Sequence, residues 1–249
     1  MMGGRIISRV SLLVILYLYL VAGINLVCLG QKVESSDTTF TSHFVIDSLS
    51  RPSVYYPMLQ TFEYHKLTED DVVFLGNSIT FWADWPSLLN NGRAKNRGIP
   101  GDNTFGVRER LFEVTQSKPH KIFILIGIND VAANIPDNVI LRNCRGIIRQ
   151  IKAESPSSII YIQTLLPTND DFGKAPNHYG KDKHIRYINS RLKVIGDEEG
   201  VSVIDLYAHF VDEKGKLKHE YTWDGLHLTI DGYLHWVRLL KEGAYLDGL

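Results

Sequence analysis

The sequence predicts an α/β protein, a three-layer α/β/α sandwich around a parallel sheet. Short apolar runs without polar alternation recur along the chain, as expected of strands covered on both faces. Between them lie longer stretches whose apolar residues return every three or four positions, the spacing of helices that cover such a sheet.

In chain order, Asp71-Val72-Val73-Phe74-Leu75 reads as the first strand, closed by Gly76. A shorter one follows at Ala94 to Arg97. Lys121 to Ile126, closed by Gly127, Ser158 to Gln163, and Val201 to Asp205 are the next three. Helices are expected over Thr104 to Glu113, Val139 to Glu154, Lys181 to Glu199 and Thr229 to Lys241. In the second of these, Ile140, Cys144, Ile147, Ile148 and Ile151 share one face, so Cys144 is read as buried packing. The stretch 31–70 is polar with scattered aromatics (Phe40, Phe44, Tyr55, Tyr56, Phe62, Tyr64) and is expected to be an irregular lead-in packed on the α/β domain, which occupies 71–249.

The first thirty residues differ from the rest. Arg5 and Arg9 precede an uncharged apolar run from Val10 to Val27, and small residues at Cys28 and Gly30 fit a cleavage site before Gln31. Residues 1–30 are therefore expected to be a signal peptide and the protein to be exported, periplasmic or secreted, with no stable membrane association after cleavage. An uncleaved anchor is the alternative, because the run is about long enough to span a bilayer; lipidation at Cys28 is a third reading. Without residues 1–30, Cys144 is alone and has no Cys or His partner at metal-ligand spacing.

The 249 residues are 44% hydrophobic and 22% charged, enough for one substantial core. Formal net charge is −1, with no block of like charges, so nothing marks a nucleic-acid partner or a basic arm for an anionic membrane. Oligomeric state is not legible.

In open parallel sheets, ligands bind beyond the carboxyl ends of the strands. Four segments fall there. Ser78, in Gly76-Asn77-Ser78-Ile79-Thr80, sits in a strand-to-helix turn, where a serine is either a nucleophile or a helix cap. Asn96 to Thr104 is a glycine-bearing loop entering a helix, either an ordinary connection or one whose backbone N–H groups approach a ligand. Asn129, in Gly127-Ile128-Asn129-Asp130, is either a turn residue or an amide donor to an oxyanion. In Trp223-Asp224-Gly225-Leu226-His227, a carboxylate three residues before an imidazole can fold back and fix its tautomer; a capping Asp and a packing His are the bland alternative. A single scheme uses all four: Ser78 as nucleophile, His227 as base, Asp224 as its orienting partner, and Ser78 N–H, Gly101 N–H and the Asn129 amide as oxyanion donors.

These segments resemble the SGNH (GDSL-like) hydrolases, whose four blocks supply a serine, a glycine, an asparagine and a histidine. The matches are Gly76-Asn77-Ser78, Gly98-Ile99-Pro100-Gly101-Asp102, Gly127-Ile128-Asn129-Asp130 and Asp224-Gly225-Leu226-His227, in family order. The resemblance implies a flavodoxin-like sheet and ester hydrolysis through an acyl-serine, without metal or organic cofactor. Within the family the chain looks most similar to platelet-activating-factor-type acetylhydrolases and bacterial carbohydrate O-acetylesterases. One departure stands out: Asn77 replaces the usual aspartate before the serine, keeping an acceptor oxygen but losing the charge.

The loop Leu166 to Gly180 follows a strand and is expected to overhang the site, with Tyr179 among its substrate-binding groups. Trp82 and Trp85 are candidates for the pocket wall or for the core. A short acyl group, acetyl, on a sugar such as sialic acid or another glycan is the expected substrate. Alternatives are a lysophospholipase or thioesterase, an acyl transferase, and a non-catalytic glycan-binding relative.

Overall fold

A computed structural model describes residues 50–248, so the leader expected at 1–30 and part of the lead-in lie outside the described residues. The sheet has five strands, β1 (Val72–Gly76), β2 (Ala94–Gly98), β3 (Lys121–Leu125), β4 (Ile159–Gln163) and β5 (Ser202–Ile204), in the order β2-β1-β3-β4-β5. Every adjacent pair is parallel. All five fall on the segments expected to form them, although β2 (Ala-Lys-Asn-Arg-Gly) is not apolar. β1 and β3, the most continuously apolar, are buried along their whole length.

Helices fill the connections: α1 (Tyr55–Tyr64), α2 (Ser78–Phe81), α3 (Trp85–Leu89), α4 (Thr104–Glu109), α5 (Leu111–Thr115), α6 (Ile128–Ala132), α7 (Asp137–Glu154), α8 (Asp182–Glu199), α9 (Leu206–Phe210) and α10 (Ile230–Glu242). α7 packs against α4, α5 and α8, while α10 packs against α3. On the α3/α10 side, Phe74, Phe123 and Tyr161 stand in register on three neighbouring strands and stack at 4.9 and 4.7 Å. Trp85 stacks on Phe74 at 3.6 Å and meets Trp236 edge-on at 5.0 Å. Each fully buried aromatic of this kind stabilises the fold by about 1.5–3 kcal/mol through apolar burial. Cys144 is buried in α7, as its place in the apolar stripe implied, and burial pushes its thiol pKa up.

Two local expectations change. Part of the lead-in is helical rather than irregular: Tyr55, Met58, Leu59 and Phe62 recur at helical spacing, and Tyr55 and Phe62 are buried with Ile99. The helix expected over Thr104 to Glu113 is broken at Arg110, whose backbone (φ −94°, ψ 6°) separates α4 from α5. Its side chain gives the reason. The guanidinium is fully buried, pairs with Asp102 at 2.9 Å, and donates to the carbonyls of Gly76 and Arg97 at 3.0 and 2.9 Å.

The chain leaves β1 toward β2 on one side and returns to β3 on the other. The connections after β1 and β3 therefore diverge, and the crevice between them at the carboxyl edge is where such sheets bind ligands.

Candidate active site

Ser78 stands at that crevice, as the first residue of α2, directly after β1. The capping role that competed for this serine belongs to its neighbour. Asn77 Oδ1 accepts the Ile79 N–H at 3.0 Å, so the acceptor that asparagine shares with aspartate does the work of the cap. Asn77 Nδ2 is buried without a hydrogen-bond partner. The far end of α2 is held by Asn96, whose Nδ2 lies 3.0, 2.9 and 2.9 Å from the carbonyls of Thr80, Phe81 and Ala83. Tyr233 Oη adds a bond to the Ile79 carbonyl at 2.7 Å, tying α10 to the serine's turn.

With the cap satisfied by Asn77, the Ser78 hydroxyl is available to His227, whose Nε2 is 2.9 Å away. His227 Nδ1 is 2.6 Å from Asp224 Oδ2. An ionised carboxylate only accepts, so Nδ1 carries the hydrogen and Nε2 is left to receive the serine proton. The other carboxylate oxygen accepts the N–H groups of Leu226 and His227 at 2.9 and 2.7 Å. Burial opposes ionisation of Asp224, but the bonds from the His227 ring and from these two backbone groups outweigh it and hold the carboxyl below its ordinary pKa.

The turn between the two residues depends on Gly225. It adopts φ +85°, and a Cβ there would lie 2.0 Å from the Asn169 carbonyl oxygen. Thr222 Oγ1 closes the same turn, donating to the His227 carbonyl at 2.7 Å and accepting the Gly225 N–H at 2.8 Å.

Gly101 (φ +79°) follows β2, and Asn129 lies in α6 after β3. Asn129 Nδ2 donates to the Asp102 carbonyl at 2.8 Å, next to Gly101. Because β1 lies between β2 and β3, this bond links the loops on either side of the serine's strand. Asp102 is in turn held by Arg110, and Asp130 accepts the Thr104 N–H at 3.0 Å, so both acids brace loops. Burial pushes the Asp130 pKa up to about 7 despite its bonds from Thr104.

The two tryptophans separate. Trp85 is core, whereas Trp82, one turn beyond Ser78, is 58% exposed. Tyr179 is engaged by the protein: its hydroxyl donates to the Asp224 carbonyl at 2.6 Å and accepts from Lys174 and Ala175 backbone N–H groups. Two further residues belong to the constellation. Trp223 is 49% exposed and lies nearly parallel to the His227 ring, centroids 5.5 Å apart. His178 Nε2 is 3.0 Å from Asn129 Oδ1. Trp223 could have been found by its adjacency to Asp224; His178 lies in the Leu166–Gly180 loop expected to overhang the site, but nothing in the sequence paired it with Asn129. Grooves of about 460 and 540 Å³ flank α1, and neither is lined by Ser78, Asp224 or His227.

The arrangement can move a proton from a hydroxyl to an imidazole with a carboxylate behind it. Comparison with known proteins gives the family. Residues 74–234 match the GDSL-like lipase/acylhydrolase family. The alpha2 subunit of platelet-activating factor acetylhydrolase IB from Rattus norvegicus is 30% identical over 181 residues, covering 70% of this chain and 76% of its own. A solved structure described as a platelet activating factor from Streptococcus pneumonia shares 26% identity with a TM-score of 0.70, covering 84% of this chain and 100% of that one. An acylhydrolase structure from Bacteroides fragilis also shares 26% identity, with a TM-score of 0.66, covering 75% and 93%.

Proposed function

Because the chain belongs to the GDSL-like lipase/acylhydrolase (SGNH) family and is a carboxylic ester hydrolase, we propose that it removes short acyl groups, acetyl foremost, from the hydroxyls of a sugar through an acyl-serine at Ser78. The observation that carries this reading is the chain of contacts from Ser78 Oγ to His227 at 2.9 Å and from His227 to Asp224 at 2.6 Å.

In the proposed cycle His227 Nε2 takes the Ser78 proton as Oγ bonds to the ester carbonyl carbon, and Asp224 stabilises the imidazolium. The carbonyl electron pair moves to oxygen, where the N–H groups of Ser78 and Gly101 and the Asn129 amide receive it. As the pair returns, the bond to the alcohol breaks and His227 gives its proton to the departing oxygen. Water repeats the sequence on the acyl-serine, releasing the free acid and restoring the serine.

The acetyl assignment is supported by the acetylhydrolase relative, and the sugar by the surroundings of the triad. Trp82, four residues after Ser78, and Trp223, nearly parallel to the His227 ring, are about half exposed, and Asn177 and Lys174 offer exposed polar groups on the loop that Tyr179 fastens to Asp224. Aromatic faces with a few polar groups are the usual means of holding such a ligand. The apolar run of residues 1–30 supports export, where glycan esters are met. A second reading, acetyl removal from a platelet-activating-factor-like substrate, is favoured by the relatives' names.

The test is an ester panel on the full chain with a Ser78→Ala control. It includes O-acetylated sialic acid, acetylated xylo-oligosaccharides, platelet-activating factor, and aryl esters from acetyl to octanoyl. Sugar acetates turned over fastest support the proposal. A preference for octanoyl and longer esters points to a lysophospholipase or thioesterase, an acylated acceptor in place of free acid points to a transferase, and turnover retained by Ser78→Ala sinks the mechanism.

A further inference from the structure

The orientation of the Asn129 amide can be read without ambiguity. Its Nδ2 faces the Asp102 carbonyl at 2.8 Å, and a carbonyl cannot donate, so the amide is not flipped. Oδ1 therefore faces His178 Nε2 at 3.0 Å, and that nitrogen must carry its hydrogen. His178 comes from the 3₁₀ turn Pro176–His178 in the connection between β4 and α8. The next residue, Tyr179, holds the carbonyl of Asp224 at 2.6 Å. Two consecutive side chains of this connection thus reach the oxyanion donor and the triad acid. His178 is half-buried, and burial, followed by the neighbouring His227, pushes its pKa below the ordinary imidazole value against the opposing pull of Asp224. A neutral ring with hydrogen on Nε2 fits both constraints.

We propose that His178 is a positioning residue for ester hydrolysis, its Nε2–H holding the Asn129 side chain so that the amide N–H left over from Asp102 is aimed at the developing oxyanion. An amide tethered by Asp102 alone can swing about its side-chain torsions. Tethered at both its nitrogen and its oxygen, it is held before the charge develops, the condition under which such donors accelerate acyl transfer. The proposal rests on the reading of Asn129 as an oxyanion donor. His178 itself does not touch the ester, so its loss acts on kcat through Asn129 and leaves KM little changed.

The test compares turnover of 4-nitrophenyl acetate by the full chain carrying His178→Gln, His178→Asn, Asn129→Ala, and Asn129→Ala with His178→Asn. The glutamine amide N–H reaches the place of Nε2, whereas the asparagine amide reaches only the place of Nδ1. His178→Asn is expected to lower kcat by about 10- to 100-fold, the scale of a misplaced catalytic group, with His178→Gln recovering most of it. Asn129→Ala is expected to lower kcat by about 10²- to 10³-fold, and adding His178→Asn to it should cost little more. Equal losses in the glutamine and asparagine variants, or an undiminished His178→Asn effect on top of Asn129→Ala, would overturn the proposal. Melting temperatures of the four variants separate positioning from misfolding, since the glutamine rescue must occur at unchanged stability. If Asn129→Ala itself turns over normally, the oxyanion reading falls and the proposal with it; a loss in Asn129→Ala without one in His178→Asn removes the proposal alone.

Discussion

One oxygen of Tyr179 fastens the connection after β4 to the triad: it donates to the Asp224 carbonyl at 2.6 Å and accepts the N–H groups of Lys174 and Ala175 at 3.1 and 3.0 Å. Asn169 adds a second fastening, its N–H donating to the Gly225 carbonyl at 2.8 Å.

Tyr179→Phe keeps the ring and removes all three bonds. Unpaired polar groups left behind cost about 1–3 kcal/mol each where water cannot reach them, so urea unfolding should show a loss of about 1–3 kcal/mol. Because the Asp224 turn is loosened for any substrate, kcat should fall alike for sugar and aryl acetates. A KM increase confined to the sugar ester, with stability unchanged, would restore Tyr179 to the substrate-binding role its sequence position suggested.

Asp224→Asn should lower kcat by about 10⁴-fold, because an amide facing Nδ1 no longer fixes the tautomer that leaves Nε2 free to accept. It should also change the acid side of the stability curve. The Asp224 carboxyl is held below its ordinary value in the folded protein. Its contribution to stability is therefore complete above the unfolded-state pKa and is lost as pH falls through the lower folded-state value. The asparagine variant lacks that loss, so its stability should fall less steeply with acid than the wild type. Parallel urea titrations of the two proteins at descending pH check the slope; identical slopes would mean that the Asp224 carboxyl has the same pKa in the folded and unfolded protein.

Arg110→Met tests the brace beneath the Gly101 and Asn129 loops. The guanidinium and Asp102 are both fully buried, and the same side chain holds carbonyls at the ends of β1 and β2. Removing one partner leaves a buried carboxylate unpaired, a change that costs about 3–5 kcal/mol. Chemical denaturation should show that loss, and the residual folded enzyme should turn over more slowly because Asp102 also carries the carbonyl that Asn129 bonds. A variant of native stability would show that Asp102 is protonated or solvated rather than paired.

The same arginine shows where sequence reading stops. The strands were legible because their burial is written in their own residues: β1 and β3 are apolar at nearly every position. The contact chain Ser78–His227–Asp224 was legible because Asp224 and His227 are three residues apart and Ser78 stands in the turn that follows a strand. The break at Arg110 was not, since the side chain that interrupts the α4/α5 helix does so through Asp102, Arg97 and Gly76, which lie 8, 13 and 34 residues away and meet it only once the sheet forms. α1 carried its periodicity in Tyr55, Met58, Leu59 and Phe62, but polar neighbours obscured it. His178 had no legible partner because its contact with Asn129 exists only once the β4 connection has crossed to the β3 edge.

Trp223 offers the sharpest test of what reaches the serine. Its ring lies nearly parallel to the His227 imidazole with half of its surface open, and Lys174 Nζ stands 6.0 Å from its centroid. A sugar whose acetyl group enters toward Ser78 can rest its ring on this face or on Trp82, whereas a small aryl acetate needs neither. Trp223→Ala and Trp82→Ala should therefore raise KM for an acetylated oligosaccharide by about 10-fold, the worth of one lost aromatic contact of about 1.4 kcal/mol. The KM for 4-nitrophenyl acetate should change much less, and kcat for both esters should hold as long as Asp224 still orients His227. An equal rise for the two substrates would assign the tryptophans to shielding the triad, and a selective rise for platelet-activating factor would move the ester from a sugar to that lipid.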